Sequence, residues 1–351
     1  MTDHYAAMDV HSATKHCVIV NSRGKLVSET VLETSGELLV AFAKSIPGKA
    51  HLTFEEGAQS AWLYDLLQPH VAELIVCDPR KNKQHGNKND RIDGQRLAEL
   101  LRNNSLSPVY HRNHGTKALK VYVQGYQNLV QSSVRTMLRI KSMYRSRGVS
   151  TRGGSIYNPR EKREWIAKLD DPGLCVRVDW LYQELEALLA LREKARLKVL
   201  TESRKHKACR LLRSAPGIGP IHAAQIVSQV VTPFRFRTKR QFWSYCGLAV
   251  VMRSSDDYEI VNGKYRKKKK QVSVRGLNSN YNHLLKYAFK DAAITAKSCS
   301  ALKEYYQRRI DEGMKPEMAR LTVARKMAAI CLAMWKKGES YEENKALRRT
   351  E

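Results

Sequence analysis

Tyr5-Ala-Ala-Met-Asp-Val10 and His16-Cys-Val-Ile-Val-Asn21 are short β-forming runs on either side of a polar turn, and their reading decides the fold. Ser22-Arg-Gly-Lys25 supplies turn chemistry after the second run, and residues 27–31 continue as a third strand. Residues 35–43 then carry Leu38, Leu39, Ala41 and Phe42 at helical spacing. Residues 51–55 return to strand alternation, 61–67 are helical, and 74–77 are again a strand. A β-hairpin followed by alternating helix and strand predicts a mixed α/β sheet for residues 1–112.

Residues 113–208 change character. Val123, Tyr126, Val130, Val134 and Met137 recur at steps of three and four, and so do Leu181, Leu185 and Leu188, continued by Ala195 and Val199. A connector rich in Gly, Ser and Arg at 145–154, punctuated further on by Pro159 and Pro172, turns the chain back. The pattern predicts a long antiparallel helical hairpin or coiled coil. Residues 209–351 read as mainly helical, most clearly at 279–296 and 315–337. The fold class is therefore α/β plus all-α, in three domains: 1–112, 113–208 and 209–351.

Charge is the unusual term in the composition. The 351 residues include 62 Lys and Arg against 34 Asp and Glu, a formal net charge of +28. A folded chain with that much like charge repels itself unless a polyanion shares its surface, which points to nucleic acid. Hydrophobic residues at 42% exclude a wholly disordered chain. No run approaches the ~20 apolar residues that span a bilayer, and Met1-Thr-Asp-His-Tyr-Ala-Ala-Met-Asp9 lacks a signal-peptide plan, so a cytoplasmic protein without a membrane partner is expected. Seven cysteines without a CxxC pair argue against a zinc cluster or a disulfide framework.

Four acids form the first candidate constellation. Asp9 follows one apolar strand, Glu55 ends another, and Asp90 and Asp93 stand at helical i, i+3 spacing. Carboxylates ~4 Å apart repel by about 4 kcal/mol at an effective dielectric of 20, so convergence of these groups calls for a cation, and hard oxygen ligands suit Mg²⁺ beside a phosphate. Each acid also has a plainer reading, as a turn cap, a solvated carboxylate or a helix N-terminal acid.

The second constellation is basic. Pro216-Gly-Ile-Gly-Pro220 between two helical stretches reads as a helix-hairpin-helix-like turn in which Gly217 and Gly219 leave backbone amides open to phosphate, or else as an internally packed turn. Beyond it Phe242, Tyr245 and Leu248 share an apolar side while Arg235, Arg237, Lys239 and Arg240 point outward. Ser254 and Ser255 sit beside Arg253 in a polar loop. Lys264, Arg266, Lys267, Lys268, Lys269 and Lys270 form a run that predicts a flexible, solvated loop meeting phosphate nonspecifically.

These motifs together resemble the insertion-sequence transposases of the one-ten type and the related site-specific DNA invertases, over nearly the whole chain. The N-terminal part resembles their RuvC-like, ribonuclease H-like domain, its Asp, Glu, Asp, Asp order carried by Met8-Asp9, Phe54-Glu55-Glu56-Gly57 and Asn89-Asp90-Arg-Ile-Asp93. Glu55, which follows Phe54, is preferred to Glu56. The C-terminal part is similar to their transposase domain at Pro216-Gly-Ile-Gly-Pro220, Arg235-Phe236, Gly247-Leu248, Ser254-Ser255 and Arg275-Gly276-Leu-Asn278. The family has a nucleophilic serine at the Ser255 position, commonly followed by Gly where this chain has Asp256, and a proline where it has Val250; the choice between Ser255 and Ser254 stays open.

The resemblance implies a recombinase that cuts and rejoins donor and target DNA through a 5′-phosphoserine link, with Mg²⁺ on Asp9, Glu55, Asp90 and Asp93. It also implies guidance by a noncoding bridge RNA and a homodimer that assembles to a homotetramer on DNA, in a bacterial or archaeal cytoplasm. Competing readings are a RuvC-like nuclease or junction resolvase that activates water, and a nucleic-acid-binding protein whose acids only pair with Lys and Arg.

Overall fold

Three strands, β1 (Asp3–Val10), β2 (Thr14–Asn21) and β3 (Leu26–Glu33), form an antiparallel meander at the start of the chain in the computed structural model. Residues 2–81, 90–111, 115–254, 258–261, 264–267, 273–298 and 300–343 are described, with the backbone alone at 90–91, 252–254, 258–260, 265, 267, 273–275 and 300–301. They divide into two compact units, Met1–Asn113 and His114–Glu351.

In the first unit α1 (Gly36–Ser45) leads into β4 (Lys49–Glu55), and α2 (Ser60–Leu67) leads into β5 (Glu73–Cys77). The sheet order is β3-β2-β1-β4-β5, with β1, β4 and β5 parallel. Helical crossovers are what allow parallel neighbours, since a tight turn can only reverse the chain. Met8, Ile19, Leu52, Phe54 and Val76 pack on one face with Leu39, Phe42, Leu63 and Leu67. On the other face Ala7, Val18, Val20 and Cys77 meet Leu97 and Ala98 of α3 (Asp90–Arg102). Burial on both faces explains why Ala6-Ala7-Met8 is an unbroken apolar run. Gly94 lets α3 lie close to the sheet: a Cβ there would stand 2.9 Å from Val18 Cγ2 and 3.3 Å from His16 Nδ1.

The second unit begins with α4 (Lys117–Arg145), which returns through the short α5 (Lys162–Ile166) and α6 (Pro172–Ser203). Asp171 caps α6 by accepting from the Leu174 amide at 2.8 Å, and Pro172 stands in its first turn, where a missing N–H costs nothing. α4 and α6 form the expected antiparallel hairpin: Arg139 reaches Glu184 at 3.0 Å and Tyr144 meets the Tyr182 hydroxyl at 3.3 Å. Its apolar seam is discontinuous. Ile140, Tyr144, Trp165, Val178 and Leu181 make a core at the tip, whereas Leu119, Val123 and Val199 join the core of the C-terminal helices. Between Val123 and Ser133 of α4, and between Leu185 and Val199 of α6, no side chain is buried.

The remaining helices are α7 (Lys207–Leu212), α8 (Pro220–Val230), α9 (Lys239–Tyr245), α10 (His283–Ala296), α11 (Ser300–Asp311) and α12 (Pro316–Lys337). Helix α10 starts at His283 rather than near 279, where the Asn282 side chain caps it through the Leu285 amide at 3.1 Å. The region is not helical throughout. β6 (Val250–Ser254) pairs with β9 (Ser273–Leu277), and β7 (Tyr258–Val261) pairs with β8 (Lys264–Lys267), both antiparallel. Residues 264–267, read from their charge as a flexible loop, are a strand, with the β-forming Tyr265 between the cations and in register with Ile260 of β7. Among the described residues no helix is long and apolar enough to cross a membrane.

The β1–β2 turn closes over Lys15, whose side chain is fully buried and donates to the carbonyl oxygens of His11 and Thr14 and to Thr34 Oγ1. Burial pushes this ammonium below its ordinary pKa of 10.5. The folded state therefore binds fewer protons here than the unfolded state just below pH 10.5, so this residue's contribution to stability rises with pH in that window. Urea midpoints at pH 7 and pH 10 should accordingly diverge between wild type and Lys15→Met, with the wild type gaining at the higher pH; an unchanged difference would show that the buried amine carries no such penalty.

Candidate active site and nucleic-acid interface

Asp9 and Glu55 are placed by register. Met8 pairs with Phe54 in the parallel β1–β4 ladder, so the next residues, Asp9 and Glu55, stand side by side at the strand ends. Met8 and Phe54 point into the core shared with α1 and α2; by alternation Asp9 and Glu55 belong to the opposite face, where α3 packs. Asp9 pairs across β2 with His16, whose ring lies under Gly94 of α3. Asp93 precedes that glycine and is half-buried in the first turn of the same helix. The side chain of Asp90 lies outside the described residues. Among the described residues no group of three or more His, Cys, Asp or Glu is close enough to hold a metal ion. The fold thus gathers three of the four predicted acids at one end of the sheet without closing them on a common point.

Several side chains at this end went unnoticed in the sequence. His11 Nε2 lies 3.3 Å from Asp9 Oδ2, and His16 Nε2 lies 3.0 Å from Glu29. Asp78 follows β5, the third parallel strand. Burial works to raise its pKa, but hydrogen bonds from the Arg80 amide and guanidinium, with the charges of Arg80 and Lys81, hold it below the usual carboxylate value. Glu56 turns away from Glu55 to pair with His111, whose ring packs on Tyr64. Glu55 is the last residue of β4, whereas Glu56 already lies beyond the strand.

In the second unit the two glycines of the 216–220 turn differ. Gly217 adopts φ +72° and packs against α10, where a Cβ would stand 2.3 Å from the Ala292 carbonyl oxygen. His222 braces the same turn, its Nδ1 3.3 Å from the Gly217 carbonyl oxygen and its Nε2 3.1 Å from Asp291. Gly219 precedes α8 and has open space at its Cβ position. Gly217 is thus a packing residue, and the accessible backbone of the turn is at Gly219.

Arg235 is not outward-facing as its neighbours are. It is half-buried, lies 4.7 Å over the Tyr245 ring and donates to the carbonyl oxygens of Gln229 and Val230, filling acceptors left open at the end of α8. Arg237, Lys239 and Arg240 are exposed at the start of α9, which Thr238 and Gln241 close with a capping box. Lys264 and Arg266 are exposed on β8. Arg253 and Lys267 have their backbone in β6 and β8, as does Ser254 at the end of β6 opposite Ser273. Ser255, Lys268, Lys269 and Lys270 lie outside the described residues.

Comparison with known proteins identifies the class. Residues 6–146 match the family model of DEDD transposases, described as Transposase, and residues 209–307 match the one described as Transposase IS116/IS110/IS902 family. Between them the matches cover more than half of the chain, the first running on through α4 of the second unit, and the chain belongs to this family of insertion-sequence transposases. It is similar to the transposase for insertion sequence element IS1111A of Coxiella burnetii (strain RSA 493 / Nine Mile phase I), at 24% identity over 278 residues that cover 77% of this chain and 72% of the relative.

The two glycines provide a direct check on the turn. Gly217→Ala combines a left-handed backbone with a clash against main chain and is expected to destabilise the second unit by about 2 to 5 kcal/mol. Gly219→Ala should cost no more than about 1 kcal/mol. Urea unfolding followed by circular dichroism measures both, and equal effects would contradict the packing assigned to Gly217.

Proposed function

We propose that this transposase cuts and rejoins DNA by covalent serine catalysis, with Asp9, Glu55, Asp90 and Asp93 holding Mg²⁺ and Ser255 as the nucleophile. The observation that carries the acidic half is the β1–β4 register, which sets Asp9 beside Glu55 on the face against which α3, the helix bearing Asp93, packs. The donor set is all carboxylate oxygen, which suits a hard cation and not a thiophilic one. A bound Mg²⁺ would neutralise charge on the scissile phosphate. The mixed sheet with its acids at one end supports the RuvC-like reading of this unit.

Ser255 Oγ bonds to phosphorus as the bond to the 3′ oxygen breaks; the serine proton is lost and the leaving oxygen takes one up. One phosphodiester replaces another, so rejoining needs no nucleotide triphosphate. Phosphate contacts fall to Gly219, Arg237, Lys239, Arg253, Lys264, Arg266 and Lys267 to Lys270, which secure affinity without reading sequence. Sequence choice is left to base pairing with a noncoding bridge RNA, a division that fits a chain of net charge +28. The half-open middle of the α4–α6 hairpin, where Val134 is 47% and Leu191 50% exposed, supports its use in assembly to a dimer and then a tetramer on DNA.

Trapping on a suicide DNA substrate tests the mechanism. The wild-type chain should form a covalent adduct mapped to Ser255. Ser255→Ala should bind DNA and form none, and Asp93→Asn should fold and bind yet fail to recombine. An adduct that persists in Ser255→Ala and vanishes in Ser254→Ala would move the nucleophile by one residue. Cleavage without any adduct would establish hydrolysis by water instead.

A further inference from the structure

A cavity of about 740 Å³ in the second unit is lined by α9, α11, α12 and the segment after α12, and of its lining the chemistry above uses Lys239 alone. Its wall carries Trp243 from α9, Tyr305 from α11 and the apolar Ile330 and Ala333 of α12. Four lysines reach it: Lys336 donates to the Phe236 carbonyl oxygen and Lys337 lies 3.8 Å from Glu339, which with Glu342 stands in the segment after α12, so the ring-bearing wall is left to Lys239 and Lys326. Lys239 Nζ lies 5.7 Å from the Trp243 ring centre, and Lys326 Nζ lies 5.9 Å from that of Tyr305. Among the described residues neither lysine makes an ion pair. Burial, together with the Lys239 charge, lowers the pKa of Lys326, so an anion placed between the two would relieve both the lost hydration and the repulsion.

The volume falls within the roughly 300 to 1,000 Å³ range of small-ligand sites, too small for a duplex and ample for one nucleotide. Apolar walls with aromatic rings accept any base through its π-face, while paired cations accept the phosphate joined to it. A duplex has its bases stacked and could offer only backbone, leaving the rings unused. We propose that the cavity holds one unstacked nucleotide of a single strand, its base against the Trp243 and Tyr305 rings and its phosphate between Lys239 and Lys326. The assignment rests on the nucleic-acid reading of the protein and adds a place where an unpaired base is held.

The full chain can be titrated by fluorescence anisotropy against labelled short single strands of DNA and RNA, each beside an abasic strand of the same length and charge. The wild type should bind the base-bearing strand about tenfold tighter than its abasic counterpart. Tyr305→Leu should bring the two affinities together, whereas Lys326→Gln and Lys239→Gln should weaken both strands alike. The sugar that gives the larger base preference names the strand that enters. A preference kept in Tyr305→Leu, or affinities unchanged in both lysine variants, would overturn the assignment. Should Tyr305→Leu fail to fold, a photoreactive base analogue on the wild-type chain decides: attachment to Trp243 or Tyr305 supports the cavity, and attachment only elsewhere refutes it. A chain that forms the serine adduct but shows no base preference counts against the cavity alone; base preference without the adduct counts against the serine mechanism alone.

Discussion

Parallel pairing of β1 with β4 is the constraint on which the first unit depends. Neighbouring strands that run the same way cannot be joined by a turn, so the chain must cross over through β3 and α1, and this crossover covers one face of the sheet. The opposite face is then left to α3, which lies close only because Gly94 has no side chain. Both strands finish at the same end of the sheet. Residues one step beyond the apolar register, Asp9 and Glu55, become neighbours through backbone geometry alone.

The acid-bearing end is embedded in a chain of strong positive charge, and its carboxylates have cationic or titratable companions. Asp78 has Arg80, Glu56 has His111 and Asp9 has His11. Pairs of this kind that remain partly exposed contribute little to stability and can be exchanged at small cost. The basic unit makes a different use of charge: Arg235 serves as an internal cap for α8, while Arg237 and Lys239, within a few residues of it, face solvent.

Much of the first unit was legible in sequence because each of its elements is carried by a run of one period. Ala6-Ala7-Met8 and 16–21 read as strands and lie in them; of the four residues that marked the apolar side of α1, Leu39 and Phe42 are buried while Leu38 and Ala41 are exposed. The acids were legible as residue types at strand and helix starts, but their separation in space is set by the packing of α3 and has no counterpart in spacing. Three features were hidden for specific reasons. Lys15 is a charged residue at a core-facing position, which alternation marks and residue type masks. Strand β8 carries cations on both sides of its one β-forming residue, Tyr265, so charge concealed the pattern. Arg235 lies in a basic run whose members are alike in sequence, and only the open carbonyl groups at the end of α8 set it apart.

The hairpin of α4 and α6 is anchored by a core at each extremity and by none along its middle. Bending stiffness in such a rod is uneven: the tip, closed by Trp165 over Tyr144, and the root, merged with the C-terminal helices, each move as a block. Deformation concentrates in the span between Leu185 and Val199 and the facing turns of α4. Amide protons there are expected to exchange ahead of those at either end, where buried side chains close the helices on one another.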